Sequence, residues 1–160
     1  MRVAGGKMTE GPAAPKRGEA ARRRIGAAAV ILAVGVGAAA QNTSVWSGVY
    51  TEEQAKRGEV VSNKLCTSCH GPELSGGEAG PTLVGLEFTG NWNNLTVLDF
   101  YDRVHTTMPA DAPGTLTPQQ ASDVIAYIFK LNKYPAGKTE LPTDIALLKG
   151  IKIEGEQPAK

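Results

Sequence analysis

Apolar residues recur at spacings of three and four in three stretches of the chain, and each stretch follows a residue able to cap a helix. After Thr51, with Gln54 three positions on, Ala55, Gly58, Val61 and Leu65 fall on one face and carry the helix straight into Cys66. After Thr96, with Asp99 in the third position, the stripe is Val97, Phe100, Tyr101 and Val104, and this helix ends before Met108-Pro109. After Thr117, Pro118 takes the first helical position and Gln120 the third, and Ala121, Val124, Ile125, Ile128 and Leu131 form the buried face. Between the first and second helices lies GPELSGGEAGPTLVGLEFTGNWNN, residues 71–94, rich in glycine and without a period of two. A compact domain rarely keeps so long a loop unless the loop wraps something. No strand pattern competes and no internal repeat is present. The tail after Tyr134 is punctuated by proline, with one short helical turn at TDIALLKG and a polar end expected to fray. The pattern predicts an all-α domain of three main helices and long loops.

Charge divides the chain. Of 17 bases and 16 acids, seven and two fall in residues 1–40, so residues 41–160 keep ten bases and fourteen acids, a net charge near −4. The basic run KRGEAARRR, the apolar run IGAAAVILAVGVGAAA and the small residues Ala38 and Ala40 before Gln41 have the three parts of an export signal. The apolar run rises only about 24 Å as a helix, short of the roughly 30 Å hydrocarbon core, which favours cleavage over a retained membrane anchor. The triple arginine lacks the surroundings of a twin-arginine signal, and Met8 could serve as the start as well as Met1. The expected division is a signal peptide at 1–40, one domain at 41–135 and a C-terminal extension at 136–160, in the periplasm of a bacterium. With 41% hydrophobic residues, the chain can build one core. The acidic exported part disfavours nucleic acid as a partner.

Both cysteines of the chain lie in CTSCH, residues 66–70. A disulfide between Cys66 and Cys69 would close too small a loop to restrain much of the unfolded chain. Structural zinc needs four ligands, and Cys66, Cys69 and His70 supply at most three. A thioredoxin-like dithiol expects a strand-helix-strand unit, and no strands are evident. The remaining reading is covalent haem attachment, with thioethers to Cys66 and Cys69 and with His70, next in sequence, as an iron ligand. Met108 is the only methionine after the leader and stands in the proline-punctuated loop TTMPADAPG, which makes it the candidate for the sixth ligand position. A thioether there would favour ferrous iron and raise the reduction potential. His105, three residues earlier among polar neighbours, reads instead as a solvated histidine.

Residues 50–132 resemble the class I, monohaem c-type cytochromes. RGEVVSNKLCTSCHG, GPTLVG, TMPADAPG and LTPQQASDVIAYIFKLN carry the likeness. The resemblance implies the cytochrome c fold, with one covalent haem c wrapped by the helices and loops. It implies that Gly58 lets the first and last helices cross closely, with Val124 and Tyr127 opposite. It further implies that the Pro81 carbonyl accepts the Nδ1 proton of His70, and that Trp92 stands near the haem propionates. Ser62 departs from the pattern, since many relatives carry an aromatic there, which implies either looser helix packing or a space refilled by Phe129 or Phe100. The stretches from Glu87 to Leu116 and from Tyr134 to Ile153 are also similar to cytochrome modules that accompany periplasmic quinoprotein dehydrogenases, which implies a class of partner.

The expected function is a monomeric periplasmic electron carrier with His70 and Met108 as axial ligands and no open iron position for catalysis. Its redox partners would be a dehydrogenase donor, plausibly a quinoprotein, and an oxidase or another cytochrome as acceptor. A membrane association is expected only if the leader is retained. Two alternatives stay open: a fixed cytochrome subunit of a dehydrogenase complex, and a haem enzyme or gas sensor whose methionine ligand leaves readily.

Overall fold

The Thr51 hydroxyl opens the first helix by accepting a hydrogen bond from the Gln54 amide at 3.1 Å in the computed structural model, whose described residues are 43–159. The expected leader, 1–40, lies outside those residues. This helix, α1, spans Glu52–Leu65, and a single further turn, α2, spans Thr67–His70. Then come α3 at Gly85–Trp92, α4 at Val97–Thr107, α5 at Pro118–Leu131 and α6 at Ile145–Lys149. Two-residue strands, β1 at Thr43–Ser44 and β2 at Ile151–Lys152, pair in parallel. Among the described residues none of the helices is long and apolar enough to cross a membrane.

Reciprocal capping boxes start α4 and α5. The Thr96 hydroxyl accepts the Asp99 amide while the Asp99 carboxylate accepts the Thr96 amide at 2.8 Å, and Thr117 and Gln120 repeat the exchange. Each box satisfies amides that a helix start would leave without partners. The buried face of α4 consists of Val97, Phe100, Tyr101 and Val104, as the spacing predicts. Helix α5 goes further than its stripe. All residues from Ala121 to Phe129 are buried, because α1 crosses one side of it and the C-terminal tail covers another.

The α1–α5 crossing is set by Gly58. A Cβ at this position would collide with the Asp123 carbonyl and stand 3.0 Å from Cβ of Tyr127, so the neighbours across the contact are Asp123 and Tyr127. Since the obstacle is backbone, Gly58→Ala has to push the helices apart, and the expected loss is about 3 kcal/mol. Thermal unfolding checks this: a variant melting within a degree or two of the parent would show that the crossing tolerates a methyl group.

The segment expected as an unstructured loop contains α3. Its ring contacts explain its position: Phe88 meets Phe100 edge-on at 5.4 Å and Trp92 lies 4.5 Å from Phe100. Phe100, Phe129, Tyr134 and Trp46 continue this aromatic row. Phe100 and Phe129 therefore belong to the row, and Ser62 is fully buried on α1.

Residues 136–153, expected as an extension, contribute Leu141, Leu148, Ile151 and Ile153 to the same core. Gln54, fully buried, fastens them there. Its Nε2 donates to the Leu141 carbonyl at 3.0 Å and to Ser122 Oγ at 3.1 Å, and its Oε1 accepts the Leu141 amide at 2.7 Å. A buried amide with its partners satisfied costs little and fixes one arrangement. Arg57 adds a forked link, with Nε and Nη2 at 3.0 Å from the Asp123 carboxylate and Nη1 and Nη2 on Glu140. Asp144 caps α6 by accepting the amides of Ala146 and Leu147.

Candidate functional site

Helix α1 delivers the cysteine pair. Cys66 ends α1 and begins α2, and its carbonyl accepts the amides of Cys69 at 3.1 Å and His70 at 2.9 Å. One turn of backbone thus carries both thiols and the imidazole. Both cysteines are free and half-buried, and burial pushes the Cys66 thiol above its ordinary value. Among the described residues no group of three His, Cys, Asp or Glu side chains converges on a point where a bare ion could be held.

After His70 the chain turns back. The Gly76 amide donates to the His70 carbonyl at 2.7 Å, and the Leu83 amide to the Leu74 carbonyl at 2.8 Å. This loop lays residues 80 and 81 against the imidazole. His70, only 8% exposed, has Nδ1 2.7 Å from the Pro81 carbonyl oxygen. A carbonyl can only accept, so Nδ1 carries the proton and the lone pair is on Nε2. Gly80 is the close neighbour: a Cβ there would lie 2.9 Å from Nδ1 and 3.0 Å from Cε1.

Met108 is the C-cap of α4, tied by its amide to the Val104 carbonyl at 3.2 Å, and precedes Pro109 through a cis peptide. It lines the same cleft as Cys66, Cys69, His70 and Pro81, together with Leu65, Leu74, Leu83, Val104, Leu116, Val124 and Ile128. The cleft takes in about 760 Å³ of empty space, open mouth included. Its one carboxylate is Asp111, and no lysine or arginine lines it.

The sequence-predicted residues therefore divide. Cys66, Cys69, His70, Pro81 and Met108 are brought together. Trp92 is not: it lies on α3 against Phe100, outside the cleft lining, so the structure gives no contact between its indole and the place where a haem would sit. His105 stacks on Tyr101 at 5.3 Å and is likewise outside the lining. Asn132, which ends α5 and binds the segment following Pro81, had no part in the sequence-based expectations, because its partners Leu83 and Gly85 lie far off along the chain.

The residues present fit haem c. The donor set comprises two free thiols, an imidazole with its lone pair on Nε2 and a thioether, in a cleft otherwise almost wholly apolar. Cys66 and Cys69 would hold the ring edge, and His70 and Met108 the iron.

Residues 53–128 match the family described as cytochrome C oxidase, cbb3-type, subunit III, a span just under half of the chain that includes every residue lining the cleft. No curated protein and no solved structure matched the chain.

Proposed function

Residues 53–128 form a cytochrome c domain with an all-α fold, and from that premise we propose that the protein is a one-electron carrier of the bacterial periplasm with a single haem c and His70 and Met108 as axial ligands. The observation that carries the proposal is one cleft lined by both thiols, the oriented imidazole and the one methionine of the described residues.

Bound there, haem c supplies exchange of one electron between ferrous and ferric iron. The chain's own residues set the conditions. Cys66 and Cys69 fix the group permanently. The Pro81 carbonyl, by taking the Nδ1 proton of His70, fixes its tautomer and makes Nε2 a stronger donor. Met108 pulls the other way, since thioether sulfur favours the ferrous state. Leu74, Leu83, Leu116, Val124 and Ile128 exclude water, which reduces the solvent rearrangement that accompanies a change of charge. Were His70 and Met108 both to hold the iron, no ligand position would remain for a substrate, and the group would supply electron exchange alone, hence a carrier and not an enzyme.

Donor and acceptor belong to the same proposal. The resemblance to modules that accompany quinoprotein dehydrogenases supports a periplasmic dehydrogenase as donor. The leader's export features support the compartment. An oxidase or another cytochrome is the expected acceptor. A second reading is a fixed subunit of a larger redox complex, and the matched family's description as an oxidase subunit favours it. Copurification at constant stoichiometry supports the subunit reading, whereas a freely migrating monomer supports the carrier.

The spectrum of the ferric protein tests the ligand assignment. A methionine-to-iron charge-transfer band is expected, with slow binding of carbon monoxide by the ferrous form. Absence of the band together with rapid carbon monoxide binding would replace the carrier with a haem enzyme or gas sensor.

A further inference from the structure

The half-buried side chain of Asn132 has three hydrogen bonds. Its Nδ2 donates to the Leu83 carbonyl at 2.9 Å and to the Ile128 carbonyl at 2.9 Å, while its Oδ1 accepts the Gly85 amide at 2.9 Å. Two of these reach across to the segment just after Pro81, and the third returns to α5 itself. Among residues 81–85, the side-chain bonds to Asn132 tie the segment to α5; the others link it to Leu74, His70 and Thr89 of α3 or stay within it.

We propose that Asn132 is a positioning residue for the His70 imidazole, holding the Pro81 carbonyl at its Nδ1 by clamping the following residues to the end of α5. The proposal rests on the reading of His70 as an iron ligand. Two features make the linkage tight. Pro81 lies two residues from Leu83, too short a span to absorb a displacement, and Gly80 leaves no slack on the ring, since even a Cβ would crowd Nδ1 and Cε1. Loosening the clamp lengthens the bond from Nδ1 to the Pro81 carbonyl. The imidazole then becomes a weaker donor, ferric iron loses some of its stabilisation, and the potential rises.

Three variants of the haem-loaded protein test this. Asn132→Ala removes all three bonds, and Asn132→Asp keeps the acceptor for the Gly85 amide while losing both donors. Asn93→Ala is the control: it removes the bond from the Gly155 amide to Asn93 Oδ1 at 2.9 Å, far from the clamp in the hydrogen-bond pattern. The readouts are the midpoint potential and, in the ferrous state, solvent exchange of the His70 Nδ1 proton by nitrogen-15 NMR. Asn132→Ala is expected to raise the potential and to speed exchange about tenfold, the scale of one lost hydrogen bond. Asn132→Asp, which sets a carboxylate oxygen against the Leu83 and Ile128 carbonyls, is expected to speed exchange at least as much, while its added negative charge offsets part of the rise in potential. Asn93→Ala should lower thermal stability and move neither. If both Asn132 variants lose stability while potential and exchange stay at parental values, Asn132 is only a helix cap and the proposal fails. If the His70 ring signals of the unmodified ferrous protein lack the large upfield shifts of an axial ligand, the ligand reading fails and takes this inference with it.

Discussion

Met108→Ala is expected to give a folded, red protein whose ferrous form binds carbon monoxide rapidly and whose midpoint potential has dropped. The thioether favours ferrous iron, so its removal should cost that state at least about a hundredfold of its advantage, roughly 120 mV at 59 mV per tenfold. The fold should survive. Met108 is only half-buried at the C-cap of α4, the capping box at Thr96 and the stripe of Val97, Phe100, Tyr101 and Val104 are untouched, and the lost packing amounts to about 1–2 kcal/mol. Potentiometry and carbon monoxide mixing measure both effects. An unchanged potential would mean that Met108 is a wall of the cleft and not a ligand, and His105, stacked on Tyr101 outside it, offers no replacement.

The second large effect concerns the cysteines. Cys66→Ala with Cys69→Ala should leave a protein without covalently retained haem and without a cooperative fold. The argument is one of missing core. Leu74, Leu116, Val124 and Ile128 are almost wholly buried members of the core and also line the cleft, so a group seated there would pack directly against that core. A group seated there would contact all of these side chains at once, so a variant unable to retain it loses those contacts together. The loop from Gly71 to Val84 depends on the same group, since only the three-residue turn at Pro72–Leu74 gives it regular structure, and Glu73 and Leu74 sit at φ values of 52° and 57°. Circular dichroism with thermal melting checks this, and a cooperative melt of the colourless double variant would contradict it.

Much of this site was legible because its parts are local. Cys66, Cys69 and His70 share one helical turn, and a turn of helix is fixed by five consecutive letters. The capped helices were legible for the same reason, since Thr51, Thr96 and Thr117 each act on an amide three residues ahead. Helix α3 was not. It starts at Gly85 with φ of 70°, has Val84 at its N-cap with no side-chain hydrogen bond, and contains Gly90. Its stability comes from Phe88 and Trp92 on Phe100 and from Asn132 binding the Gly85 amide, all partners distant in sequence. The tail is a similar case. Leu141, Leu148, Ile151 and Ile153 show no regular period because each anchors separately, and the polar Gln54 that receives Leu141 read as a helix-start residue and not as core. Trp92, which the likeness suggested as a haem neighbour, packs against Phe100 on the adjoining helix, a contact that no local pattern announced.

Mass spectrometry after acid-acetone extraction tests the central claim, that this cleft holds haem c through Cys66 and Cys69. Trypsin should release Leu65–Arg103 as one peptide, since no lysine or arginine lies between Lys64 and Arg103. This peptide is expected to stay coloured and to carry the mass of one haem, with neither thiol open to alkylation. A colourless peptide of unmodified mass, with both cysteines alkylated, would contradict it.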